Sequence, residues 1–300
     1  MVMIYMGMNR ILFVMWMAGI LLLSSCSVKE DRSGCPCWMT VDLSKVAESR
    51  WKSPERQSST EYQMVTKSLE SRQHIAESVV LRLRGNSDED EVDYAFKMTE
   101  TVNTEVGALE YEVPRGSVGV SAVALGNEIP GQAGYDGDEI RIPVGEQMDS
   151  LYGFFRRFYT RCESVLCDVE LHKEFCTVSF TLGDDGYISP YDLEVWGNVA
   201  GVSPWDLMPL EGDFRFAPSQ EDGVYRVRVP RQVDNSLELV MLEDSEIVDR
   251  LPLGEYITRS GYDWAAEDLA DVHIALDMEK QQVMITVSGW DGVVVMDIVI

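Results

Sequence analysis

The chain has 300 residues, with 51 Asp and Glu against 25 Lys and Arg and a formal net charge of −26. A chain this acidic repels nucleic acid and anionic membrane surfaces, because phosphate recognition depends on Lys and Arg. Its length exceeds one ordinary domain and suggests two.

The first element is apolar. Ile11 to Leu23 (ILFVMWMAGILLL) carries no charge, and Arg10 is the only charged residue ahead of Cys26. A positive start followed by such a run has the form of a secretory signal. A permanent membrane span needs roughly 20 apolar residues, so this run is short for one; an uncleaved N-terminal anchor is the alternative. Removing residues 1–25 takes away one Arg and moves the net charge from −26 to −27. Leu23-Ser24-Ser25-Cys26 matches a bacterial lipobox. The small residues admit a peptidase to the bond between Ser25 and Cys26, and the Cys26 thiol takes the diacylglycerol. An ordinary signal ending beside a cysteine is the competing reading. A processed lipoprotein cysteine carries several acyl chains, and stable anchoring needs more than one. Ser27 follows, where Asp would look like an inner-membrane retention signal, so delivery to the outer membrane is favoured. Lys29-Glu30-Asp31 resembles the export tag of Bacteroidetes surface lipoproteins, with a solvated tether as its alternative.

Cys35-Pro36-Cys37 comes next. Zinc sites use C-x₂₋₄-C pairs, and thioredoxin-type redox sites use C-x-x-C, so one intervening residue fits neither. An exported chain can form disulfides. Cys35, Cys37, Cys162, Cys167 and Cys176 remain as candidates: Cys35 or Cys37 with a later cysteine, or Cys162 with Cys167 around a small loop. The count is odd, so at least one thiol stays free or pairs between chains.

Alternating apolar and polar residues then mark half-buried strands. Met39 to Leu43 is the first. Val79, Leu81 and Leu83 alternate with Arg82 and Arg84, and Val92, Tyr94, Phe96 and Met98 follow. Leu109, Tyr111 and Val113, then Val118, Val120, Ala122 and Ala124, continue the series. The second half repeats it at Cys176 to Leu182, Leu193 and Val195, Tyr225 to Val229, Leu237 to Met241, Ile274 to Met278, and Val283 to Val287. Val293 to Ile300 closes the chain. Many short strands separated by Gly, Asn, Asp and Pro predict an all-β sandwich architecture. Two regions break the rhythm. Residues 44–77 are polar and read as part helix, part long connection. Ser150 to Phe158 is aromatic, and Phe154, Phe155 and Phe158 are placed as a bridge between halves. The expected organisation is a signal peptide at 1–25, a lipidated tether at 26–37, and sandwiches at 38–160 and 165–300.

Chemistry is sparse. His74, His172 and His273 are the only histidines, and no H-E-x-x-H, G-x-S-x-G or phosphate-cradling glycine loop is present. No enzyme, cofactor or metal is expected. The acidic runs Ser87 to Glu91 and Tyr135 to Glu139 offer oxygen ligands of the kind calcium takes, or are solvated turns. Asp184-Asp185-Gly186 reads as a hairpin turn. Of the tryptophans, Trp196 and Trp290 end apolar strands and are assigned to core or domain contact. Trp205, in Val202-Ser203-Pro204-Trp205-Asp206, is the better surface platform for a sugar.

The order of several segments resembles a known family. Cys26 to Arg32, Cys35-Pro36-Cys37 and Val41-Asp42-Leu43 resemble the start of the fimbrial anchor lipoproteins of the Bacteroidetes, the fimbrillin-A-associated anchor family. Leu193 to Asn198 with Gly201, Leu251 to Ile257, Tyr262-Asp263-Trp264 and Val287 to Trp290 continue the likeness over nearly the whole mature chain. The resemblance implies two tandem transthyretin-like β-sandwich domains and no catalysis. It implies a lipid anchor in the cell outer membrane at the base of a fimbrium, with fimbrillin shaft subunits as partners and, in some members, control of shaft length. Shaft subunits in this system polymerise by strand donation, and sheet-edge pairing supplies such affinity. Val293, Val295, Ile298 and Ile300 in the last strand are the candidate contact, unless that strand simply completes the second sandwich. The rival function is a surface lipoprotein that captures glycan or host protein, or a fimbrial tip adhesin.

Overall fold

β1 (Cys37–Asp42) shows how the alternating pattern becomes structure. Cys37, Met39 and Val41 are fully buried, while Trp38 is exposed and Thr40 and Asp42 are half-buried. Successive strand side chains point to opposite faces, so one face of β1 meets the core. The protein is seen here as a computed structural model that describes residues 36–48, 78–87, 96–125, 137–183, 189–277, 280, 282–289 and 292–297. The chain divides into Met1–Cys35 and Pro36–Ile300, and all described residues belong to the second unit. The readings on Ser25, Cys26, Lys29, Glu30, Asp31 and Cys35 lie outside the described residues, as do those on Asp184-Asp185-Gly186, Trp290, Ile298 and Ile300.

The architecture is all-β, and the described strands form four sheets. β1 is the middle strand of a three-stranded sheet, antiparallel to β4 (Ala108–Val113) and parallel to β8 (Ser164–Asp168). A five-stranded antiparallel sheet runs β3 (Phe96–Asn103), β2 (Ser78–Ser87), β5 (Gly116–Leu125), β7 (Leu151–Tyr159) and β9 (His172–Lys173). From Phe175 onward the strands join two other sheets. One runs β13 (Ser219–Glu221), β14 (Val224–Pro230), β10 (Phe175–Leu182), β17 (Val272–Asp277), β18 (Gln282–Val287) and β19 (Val294–Asp297). The other runs β12 (Pro209–Phe216), β11 (Asp192–Val202), β15 (Glu238–Glu243) and β16 (Glu246–Leu251). The two halves repeat one pairing: β10, like β1, has an antiparallel neighbour, β14, and a parallel one, β17.

The apolar faces meet in one contiguous core, in which Met39, Leu81 and Val120 of the first half join Phe180, Val227 and Ile285 of the second. Burial at about 25 cal/mol per Å² of apolar surface is the main stabilising term. Short connections stitch the halves. β6 (Ile140–Arg141), between β5 and β7, pairs with Gly201 and Val202 at the end of β11. Lys173 is buried against Asp271, and the buried Glu174 accepts from Arg231 at 2.9 Å. Arg231 also donates to the carbonyls of Trp264 and Ala266, fixing the loop before β17.

One segment differs from its sequence reading. The aromatic stretch expected to bridge the halves is β7 itself, an interior strand between β5 and β9. Phe154 is buried, Phe158 packs against the core, and Phe155 lies over Gly119, where a Cβ would come within 3.2 Å of its ring. The polar connection begins as a helix, α1 (Ser44–Glu48), whose first N–H is held by the Asp42 carboxylate at 2.8 Å. Residues 49–77 lie outside the described residues. A second short helix, α2 (Leu253–Arg259), buries Leu253, Gly254, Tyr256 and Ile257. No helix among the described residues is long and apolar enough to cross a membrane.

Candidate functional site

The terminal strand is the clearest candidate surface. β18 buries Val283, Ile285 and Val287, and β19 pairs antiparallel with it from Gln282↔Asp297 to Ile285↔Val294. Met296 packs against the core. β19 is therefore the end strand of the six-stranded sheet, so the plainer reading of Val293 to Ile300 holds for Val294–Asp297. It is also an edge: among the described residues no strand pairs with its outer side. Val293 and Val295 are 55% and 56% exposed, and Met284, the partner of Val295, is 37% exposed. An exposed apolar edge presents unpaired N–H and C=O groups to any incoming strand. The opposite edge of the same sheet, β13, is only Ser219-Gln220-Glu221, short and polar.

Trp205 is not the surface platform read from its loop. It is only 7% exposed, because residues 203–208 fold over the outer face of the five-stranded sheet. Ser121 donates to the Pro204 carbonyl at 2.5 Å. Leu207, at a φ of 58°, lies over Gly153, where a Cβ would come within 2.7 Å of it. Cations from β2 and β3 approach the indole ring: Lys97 at 4.6 Å, Arg84 at 5.6 Å and Arg82 at 5.9 Å from its centroid. The indole N–H donates to Asp138 at 3.0 Å, and Lys97 donates to the same carboxylate at 2.7 Å. These hydrogen bonds, Lys97 first, hold the Asp138 carboxyl below its ordinary range. Glu139 accepts from Arg141 at 2.9 Å. The described part of the second acidic run is thus engaged by the protein's own donors. Among the described residues no group of carboxylates, histidines and cysteines could hold a metal ion.

Trp196 is also placed differently from its reading as a core plug. It is half-buried on β11, with Arg215 at 4.2 Å and Arg250 at 5.0 Å from the ring centroid. Its N–H donates to Glu194 at 2.6 Å, and Arg250 also pairs with Glu238 at 2.7 Å. A groove of about 630 Å³ lies beside it, lined by Tyr191, Glu194, Arg215, Tyr225 and Ile247. Two guanidiniums already engage the ring by cation–π contact, and a stacking sugar would have to compete with them. Trp264 is buried, edge-on to Tyr262.

His172 lies 3.2 Å from Asp268 at the same junction as Lys173. His273 meets Ser179 at 3.0 Å, and burial, followed by the charge of Arg226, lowers its pKa. A nucleophilic triad needs a carboxylate behind the imidazole. The described partners of this ring are a hydroxyl and a cation.

Cys37, Cys162, Cys167 and Cys176 carry free thiols. The small loop expected from Cys162 and Cys167 does not form. Cys167 points into the core from an extended strand, while Cys162 is exposed before that strand begins. Burial pushes the Cys167 and Cys176 thiols up to about 12, so both are inert.

No protein-family model matches the sequence, and no curated protein does. Solved structures do match. A candidate polysaccharide-binding protein of Bacteroides thetaiotaomicron superposes with a TM-score of 0.50 at 15% identity, covering 87% of this chain and 98% of that one. A candidate adhesin of Bacteroides ovatus gives 0.48 at 14%, over 86% and 95%. The fimbrial anchor protein Mfa2 of Porphyromonas gingivalis gives 0.45 at 10%, over 88% and 100%. At these identities the first of the three likenesses supports one conclusion, that the chain shares the fold of that Bacteroides protein.

Proposed function

We propose that this chain is an outer-membrane lipoprotein, acylated at Cys26 and exposed at the cell surface, that anchors a fimbrial shaft by holding its basal subunit. The observation that carries the reading is the contrast between the two edges of the six-stranded sheet. One is three polar residues long; the other presents Val293 and Val295 beside a backbone that no described strand pairs. Backbone pairing along β19 would supply affinity, and alternate side chains would supply register. The lipobox, and Lys29, Glu30 and Asp31 as export tag, support the location. A subunit that keeps its lipid occupies the end of the shaft, where it can also limit shaft length. We read the fold as two tandem sandwiches. The recurrent strand pairing supports this, and strand partnership changes at Glu174, between β9 and β10.

The second reading, a glycan- or host-protein-binding lipoprotein or tip adhesin, draws on the polysaccharide-binding description of the Bacteroides thetaiotaomicron protein. The burial of Trp205 and the arginines over Trp196 weigh against sugar stacking here. Affinity pull-down from outer-membrane extracts separates the two. Wild type should bring down fimbrillin subunits, and Cys26→Ala should lose membrane attachment. Arrival of the wild type alone, together with a specific glycan-array signal from the soluble protein, would replace the anchor with the binding module.

A further inference from the structure

The start of β1 and the turn before β8 bring two cysteines together. β1 and β8 are parallel, with Trp38 opposite Ser164, and the Trp38 N–H donates to the Glu163 carbonyl at 2.9 Å. Cys37 is the first residue of β1, and Cys162 lies in the bend that leads into β8. Each thiol lies beside a carbonyl of that register pair, Cys37 at 3.8 Å from Trp38 O and Cys162 at 3.1 Å from Ser164 O. The parallel register therefore sets the two cysteines side by side at the same end of the β1–β8 pair. Cys37 is buried and Cys162 exposed. We propose that Cys37 and Cys162 close a disulfide in the exported protein, locking the first strand of the fold to β8.

The chemistry uses an exported protein oxidant that itself carries a disulfide. The exposed Cys162 thiolate attacks that disulfide, forming a mixed disulfide and releasing one carrier thiol. Cys37 then attacks the Cys162 sulfur and releases the second carrier thiol. The carrier gains two electrons and two protons, and the cysteine pair loses them. The accessible thiol is positioned for the first step and the buried one for the second. Cys162 is the entry point because it is exposed; burial, and then the neighbouring Cys162, raises the Cys37 thiol while Arg115 lowers it.

The consequence rests on the proposed anchoring role. Tension between a lipid at Cys26 and a shaft enters the fold at β1. Without the bond, the backbone hydrogen bonds of β1 to β4 and β8 resist it; with the bond, a covalent link shares the load between β1 and β8. Peptide mapping of the full-length protein from the cell envelope, alkylated before reduction, tests the pairing without reference to any partner. A Cys37–Cys162 linked peptide is expected. Reductant should lower the Tm of wild type by about 5–10 °C and leave Cys162→Ser unaffected. Recovery of both residues alkylated would overturn the proposal, as would a linkage of Cys162 to Cys35 or an equal response to reductant in the variant. Loss of fimbrillin capture with the bond intact would count against the anchor alone.

Discussion

Trp205 is the single side chain that most changes what the molecule can do, since its burial removes a ligand platform and creates a staple between the halves. Trp205→Ala should destabilise the protein by about 3–5 kcal/mol, read from urea unfolding. Trp205→Phe keeps most of the packing and loses the bond to Asp138, worth about 1 kcal/mol. If both variants lay within experimental error of wild type, the staple would have no energetic role. Sequence reasoning placed Trp205 at the surface because a Ser-Pro-Trp-Asp loop ordinarily lies there. The residues that receive it, Arg82, Arg84 and Lys97, lie on β2 and β3, more than a hundred positions upstream. Their alternation correctly put them on the outer face of the sheet but could not reveal that a distant loop covers that face. A second residue carries a pH signature. In the fold His273 holds its proton less tightly than in the unfolded chain, where its pKa is about 6.5. The folded state then binds fewer protons, so its stability falls as pH drops through about 6.5. Between pH 8 and pH 5 wild type should therefore lose more stability than His273→Asn, and equal losses would exclude the effect.

Elements were legible where one face is wet and one dry. β1, β10, β14 and β18 bury alternate apolar residues, and the pattern alone found them. β7 escaped because Leu151, Tyr152, Gly153 and Phe154 are all buried, which erases the period of two. β16 escaped for the opposite reason: five of its six residues are exposed, and it has no stripe to detect. Its position comes from the turn that joins it to β15, where Asp244 and Ser245 take φ of 50° and 69°. Two consecutive positive φ values are those of a type I′ hairpin, in which Asn-Gly is favoured. Replacing Asp244-Ser245 with Asn-Gly should stabilise the protein by about 0.5–1 kcal/mol, seen as a higher midpoint in urea. α2 gives the converse case. A Cβ at Gly254 would stand 2.6 Å from the Asn235 carbonyl oxygen, a contact with fixed backbone. Gly254→Ala should therefore cost about 1–3 kcal/mol, although alanine is the better helix former. An unchanged midpoint would mean that the loop carrying Asn235 can yield.

At the scale of the whole molecule the question is which sheet edge is open. The sequence showed that the chain ends in apolar residues, but strand order decides whether such a strand is interior or edge. That order depends on long-range pairings, the parallel contact of β10 with β17 and then β18 with β19, that no local pattern reports. An apolar edge is an aggregation hazard unless something covers it, and a charged side chain is a common protection. β19 offers Val295, exposed and opposite the exposed Met284, where a charge could stand without entering the core. Val295→Lys is therefore expected to leave the Tm within about 2 °C of wild type, as surface changes usually do. It should also abolish capture of shaft subunits from outer-membrane extracts, because an incoming strand would have to desolvate the ammonium. Deleting 293–300 is the less informative change, since Met296 leaves the core with it. If Val295→Lys folds normally and still brings down the shaft, the docking strand lies elsewhere and the apolar edge of β19 needs another occupant.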